Sequence, residues 1–130
     1  MRSLRLSLLA GLLIVAGCSS TTSPSFLDGT WSQDNTFPGS NLQFTLNTNG
    51  SAVSGSGSWS GEACCNGVVT ITGTQTGVGV SLTFDFVTTA GAMLPPRTSQ
   101  FTGTVAGATV LRGTFVSGSS STDVAFHRTE

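Results

Sequence analysis

Beyond residue 26 the chain repeats with a single period, and that period is two. Residues 41–48 show it most cleanly: Leu42, Phe44 and Leu46 fall on one face, and Gln43, Thr45 and Asn47 fall on the other, as side chains alternate along a strand. The same alternation predicts eight strands. The first, 29–34, puts Trp31 and Gln33 on one face, and the second is 41–48. The third, 52–60, turns Val53, Gly55, Gly57 and Trp59 inward, and the fourth, 68–76, turns Val69, Ile71 and Gly73 inward. The fifth, 78–87, presents Val80, Leu82, Phe84 and Phe86, and the sixth, 98–106, presents Phe101, Gly103 and Val105. The seventh, 108–116, presents Leu111, Gly113 and Phe115, and the eighth, 122–128, presents Val124 and Phe126. Asn49-Gly50 is a two-residue hairpin turn, and Gly77 and Gly107 mark two more.

No helical stretch is long enough for a crossover, so consecutive strands pair antiparallel as a meander. Closure would remove both edges of strands this rich in Val, Thr and Phe. The expected fold is therefore an all-β, eight-stranded antiparallel up-and-down barrel, with a two-sheet sandwich as the alternative. Eight strands enclose an interior that side chains fill or that holds one small ligand. Glycines on the inward face mark either a tight bend or the close approach of another group, ligand access being the sharper version.

Ahead of the strands the pattern changes. Arg2 and Arg5 precede an apolar run over residues 8–16. Nine residues are too few to span a bilayer, which takes about 20, so the run reads as a secretory signal. Val15-Ala16-Gly17-Cys18 resembles the lipobox of bacterial lipoprotein signal peptides. That resemblance implies cleavage before Cys18, a diacylglycerol thioether on its sulfur, and acylation of its amine. Two or three chains anchor stably where one does not. Ser19, in place of an Asp, leans towards the outer membrane where the organism has two; otherwise the anchor lies on the outer face of the cytoplasmic membrane. The expected organisation is residues 1–17 as signal peptide, 18–26 as a lipidated, flexible Ser/Thr tether, and 27–130 as the barrel domain.

Composition sharpens the picture in two places. Gly, Ser and Thr make up more than two fifths of the 130 residues, which alone would suggest disorder; eight Phe and two Trp set in alternation argue otherwise. There is no Lys, and residues 18–130 carry three arginines (Arg97, Arg112, Arg128) against six carboxylates, a net −3. Such a surface neutralises no phosphates, which excludes nucleic acid as a partner, and it has no basic patch for anionic lipid.

The spacing of turns assigns the two ends of the barrel. Connections after the second, fourth and sixth strands are tight. Those after the first, third, fifth and seventh (35–40, 61–67, 88–97 and 117–121) are long, so all long loops share one end, the natural mouth. Both termini lie at the other end, so a lipid on Cys18 would leave the mouth facing away from the membrane.

Candidate chemistry is sparse. Trp59, Phe84, Phe86 and Phe101 are the expected lining of any ligand cavity, and Asp34, Glu62, Arg97 and Asp123 the polar groups at its mouth. Cys64 and Cys65, in an oxidising compartment, form a vicinal disulfide, pair between chains, or remain as thiols or metal ligands. With Glu62 they make an incomplete zinc set. His127 falls on the last strand, away from the acidic loops, so no catalytic triad is assembled. The expectation is a non-enzymatic protein without a cofactor. It binds a small apolar ligand in the barrel, or else acts on protein partners through the long loops and the Met93-Leu94-Pro95-Pro96 tip.

Gly29-Thr30-Trp31 resembles the Gly-x-Trp signature of the calycins, which include lipocalins, fatty-acid-binding proteins and avidins. The resemblance implies that Trp31 plugs the closed end and that Arg128, from the chain's end, packs across it, with Gly29, Trp31 and Arg128 as structural residues. The size is nearest the avidins, but this chain has no Tyr with which to build their biotin site. Small barrels that inhibit secreted proteases are also similar in size and strand order.

Overall fold

Eight strands form: β1 (Gly29–Gln33), β2 (Ser40–Asn49), β3 (Ala52–Gly61), β4 (Cys65–Thr76), β5 (Gly79–Gly91), β6 (Arg97–Ala106), β7 (Val110–Ser117) and β8 (Ser120–Arg128). They belong to a computed structural model that describes residues 26–33, 40–61 and 64–129. The signal segment, Cys18, nearly all of the tether, Asp34 and Glu62 lie outside the described residues. Each strand pairs antiparallel with the next, and β8 returns to β1, giving a closed barrel in up-and-down order. The sandwich alternative is thereby excluded. The closing seam pairs Trp31 with Arg128, Ser32 with His127 and Gln33 with Phe126.

The strand limits depart from the sequence expectation mainly on the mouth side. β4 begins at Cys65 and β5 runs to Gly91, because Cys65 and Asn66 pair with Gly91 and Ala90. With β6 starting at Arg97, the longest loop shrinks to residues 92–96. The expected loop at 117–121 becomes a tight turn: Ser117 pairs with Ser120, and Gly118 takes φ 59°, a left-handed conformation that Gly adopts without steric cost. A run of four Ser and one Gly reads as loop by composition. Its backbone hydrogen bonds nevertheless complete the β7–β8 ladder, and nothing about an outward Ser opposes a strand.

The interior is apolar and the outside is not. Phe44, Leu46, Ile71, Leu82, Phe84, Phe101, Leu111 and Phe126 are buried. Phe84 is the hub of the aromatic core: Phe44 and Phe115 meet it edge-on at 5.3 Å, and Phe86 and Phe126 stack near it at 6.1 and 6.2 Å. Outward positions carry Ser and Thr that bond across strands, as in Thr98 Oγ1 to Asp85 Oδ1 (2.7 Å), Thr83 Oγ1 to Gln100 Oε1 (3.0 Å) and Thr114 Oγ1 to Asp123 Oδ1 (3.2 Å). A lipid-spanning barrel has the opposite arrangement, apolar outside and polar within.

Several inward glycines are there because neighbouring groups lie where a Cβ would be. At Gly113 a Cβ would sit 2.2 Å from the Thr102 carbonyl oxygen and 2.8 Å from Phe101 Cζ. At Gly67 it would sit 2.4 Å from Trp59 Nε1. The approaching groups are the protein's own backbone and rings.

One end of the barrel is sealed by the segment that leads into β1. Leu27 and Trp31 are fully buried, and Trp31 Nε1 donates to the Leu27 carbonyl at 2.9 Å. The Arg128 guanidinium lies 4.9 Å from the Trp31 ring centroid, within cation–π range. It also donates to the backbone carbonyls of Phe26 and Asp28. Asp28 Oδ1 accepts from the Thr48 backbone N (2.7 Å) and hydroxyl (2.9 Å), fixing the incoming chain to the end of β2.

Candidate functional site

At the other end, among the described residues, a cavity of about 210 Å³ enters the barrel. Its apolar walls are Leu42, Trp59, Phe86, Phe115, Val124 and Phe126, and Gln33, Asn41, Ser60, Thr122 and Arg97 supply its polar atoms. The walls follow from parity. Leu42 on β2, Trp59 on β3, Phe86 on β5, Phe115 on β7 and Val124 and Phe126 on β8 are all inward positions. Phe84, in contact with Phe86, Phe115 and Phe126, lies behind them in the packed core.

Of the four aromatic residues expected to line a cavity, Trp59 and Phe86 do so. Phe84 and Phe101 do not: both are fully buried in packed core nearer the closed end. The same inward parity holds for all four. Strand tilt sets which of them reaches the mouth, and a period-two pattern does not contain it.

Among the expected polar groups, Arg97 is at the mouth. Its guanidinium carbon lies 5.3 Å from the Trp59 ring centroid and 5.4 Å from that of Phe86. Asp123 is not part of the mouth. It faces outward between Thr122 and Val124, where it accepts the Thr114 hydroxyl. Asp34 and Glu62 lie outside the described residues. Leu42, Phe115, Val124 and Phe126 complete the walls; their inward parity was readable, but their depth was not.

The glycine positions answer another expectation. None of the inward glycines lines the cavity among the described residues; what approaches them is backbone and aromatic ring, so they relieve crowding and do not admit a ligand. Gly67 in particular lets the Trp59 indole lie against β4. Trp59 is 8 % exposed, and its Nε1 is buried with no hydrogen-bond partner among the described residues. A buried donor left unpaired costs about 1–3 kcal/mol.

At the rim, Cys64 and Cys65 are joined by a vicinal disulfide. Cys64 is exposed and Cys65 is buried. The Cys64 carbonyl accepts the Ala92 N–H at 3.1 Å, which ties the start of β4 to the chain leaving β5. Gly91, with φ 87°, allows this approach: a Cβ there would lie 2.0 Å from the Cys64 oxygen. His127 sits beside Arg128 on β8, at the closed end. Among the described residues no three His, Cys, Asp or Glu side chains gather as metal ligands.

No protein-family model matches the chain, and no curated protein or solved structure matches it either.

Proposed function

We propose that the chain is a lipid-anchored protein of the bacterial cell envelope that binds a small apolar ligand non-enzymatically in a calycin-like barrel. The observation that carries the binding half is the cavity of about 210 Å³ at the mouth, walled by Trp59, Phe86, Phe115, Phe126 and two aliphatic side chains. An apolar cavity of about 150 Å³ is enough to hold benzene, so this one suits a ligand of about eight to ten non-hydrogen atoms. Ligands of that size bind with Kd between about 1 µM and 1 mM. The calycin reading is supported by the strand order and by Arg128 lying across Trp31 at the sealed end. The anchoring half is supported by the residues of the lipobox alone. Because β1 begins at the sealed end, an anchor on Cys18 would direct the cavity away from the membrane.

Each half has its own test. Val124 is a half-buried wall residue with room in front of it, so Val124→Phe should fill the cavity without breaking the ladder. Binding of toluene, followed by calorimetry or ligand-observed NMR, should weaken at least tenfold while the far-ultraviolet spectrum and urea midpoint are kept. Toluene binding that is absent in the parent, or unchanged in the variant, sinks the cavity reading. That result would favour docking of a protein partner on the exposed apolar tip, where Met93 is 74 % and Leu94 40 % exposed. For the anchor, mass spectrometry of protein taken from its native membrane should find a mature chain beginning at Cys18 and carrying diacylglycerol. Cys18→Ser should release it to the soluble fraction. A full-length chain, or an unmodified Cys18, overturns the anchor.

A further inference from the structure

We infer that the ligand is a singly charged aromatic anion, a one-ring carboxylate or its equivalent, with its ring in the cavity and its anionic group held at the mouth by Arg97. The inference rests on the cavity reading above and adds the class of ligand.

Three features lead there. The first is shape. The walls are four aromatic rings and two aliphatic side chains, and rings pack on rings edge-to-face or offset. The volume suits one ring and a short substituent. The second is charge. The domain is acidic and has no Lys, yet among the described residues the charged side chain that borders the cavity is an arginine. The other two arginines of the described residues are placed elsewhere: Arg128 is engaged at the sealed end, and Arg112 is exposed on β7, opposite Thr104. The third is unused donor capacity at the site. Among the described residues, the partners of Arg97 are the rings of Trp59 and Phe86. Its guanidinium carbon lies over these rings, and its N–H donors have no acceptor among the described residues, which leaves them for a planar carboxylate that can take two parallel bonds.

Neutral competitors of the same shape are disfavoured by this arrangement. A neutral amide or alcohol makes weaker hydrogen bonds to Arg97 than a carboxylate does. A dianion would add charge that no second cation among the described residues meets at the mouth.

Three probes of nearly equal size separate the possibilities: benzoate, its neutral isostere benzamide, and toluene. Calorimetric titration of the protein should show benzoate binding at least about tenfold tighter than benzamide, the difference expected of a charge-assisted hydrogen bond over a neutral one. Arg97→Gln should weaken benzoate about tenfold or more and leave toluene within about twofold. Arg97→Lys, which keeps the charge but not the fork, should fall between. In the ¹⁵N-labelled protein there are two indole N–H signals. That of Trp59 should shift with benzoate, while that of Trp31, already bonded to the Leu27 carbonyl, should stay. Equal affinity for benzoate and benzamide would mean that Arg97 is already neutralised by a carboxylate of the chain, and would overturn the inference while leaving a toluene-binding cavity intact. Shifts confined to Trp31 would overturn it as well. Failure of all three probes to bind would remove the cavity reading and this inference together.

Discussion

Trp31→Ala should cost the barrel about 4 kcal/mol, roughly a quarter to four fifths of the 5–15 kcal/mol that holds a domain of this size folded. Trp31 is fully buried and is the meeting point of three separate restraints at the sealed end. Its ring fills the space beneath Leu27, its Nε1 donates to the Leu27 carbonyl, and its face receives the Arg128 guanidinium at 4.9 Å. Truncation removes the apolar ring and leaves a cavity that rigid strands cannot collapse. It also strips Arg128 of the surface that orients it towards the carbonyls of Phe26 and Asp28. Since Trp31 pairs with Arg128 in register, the β1–β8 seam loosens along with the plug. Trp31→Phe keeps most of the apolar volume and loses the indole donor, so its cost should be about 1–2 kcal/mol. Urea unfolding followed by circular dichroism checks both: the midpoint should fall for each in that order with the slope unchanged. A Trp31→Ala protein within about 1 kcal/mol of the parent would show that the sealed end contributes little.

Gly113→Ala should destabilise by about 3 kcal/mol, an unusual cost for adding one methyl group. Gly113 on β7 faces Gly103 on β6. A Cβ at Gly113 would lie 2.2 Å from the Thr102 carbonyl oxygen, 2.5 Å from Gly103 Cα and 2.8 Å from Phe101 Cζ. Two of these three atoms are backbone, and the third belongs to a ring wedged in the core, so no flexible side chain is free to yield. Either the β6–β7 ladder spreads or Phe101 leaves its place against Phe126, 5.6 Å away. Gly61→Ala is the matched control. Its nearest neighbours would be 3.5 Å or more from the new Cβ, ordinary contact, and the change should stay within about 0.5 kcal/mol. Thermal melts of the two variants side by side decide the matter: comparable melting temperatures would falsify the crowding account.

The strands were legible because half-buried strands leave a period-two record, and each inward set read from the sequence is inward in the barrel. Turns at Gly50, Gly77 and Gly107 were legible for a local reason, their left-handed backbone. Two kinds of information were not. The ends of β4, β5 and β8 depend on whether a partner strand continues alongside, and Ser, Thr and Gly carry little preference either way. Depth along the barrel axis depends on the accumulated tilt of eight strands, a property of the closed ring and not of any segment. That is why Phe84 and Phe86, two residues apart and equally inward, part company, one in the packed core and one in the cavity wall. Arg97 was legible as a mouth residue because it borders the longest loop. Its seat across Trp59 and Phe86 was not, since those rings come from different strands.

The closing seam has a consequence for the order in which the molecule assembles. Seven of the eight ladders join neighbours in sequence, so each can form as a hairpin with a short loop to close. The eighth brings Arg128 to carbonyls 100 and 102 residues away. Loop-closure entropy rises with that separation, and contacts between distant residues slow folding. The ring should therefore zip as an open ribbon and shut last. Until it shuts, β1 and β8 are bare edges able to pair with another chain. The hazard of aggregation is thus concentrated in one late interval, which the Trp31–Arg128 clasp brings to an end.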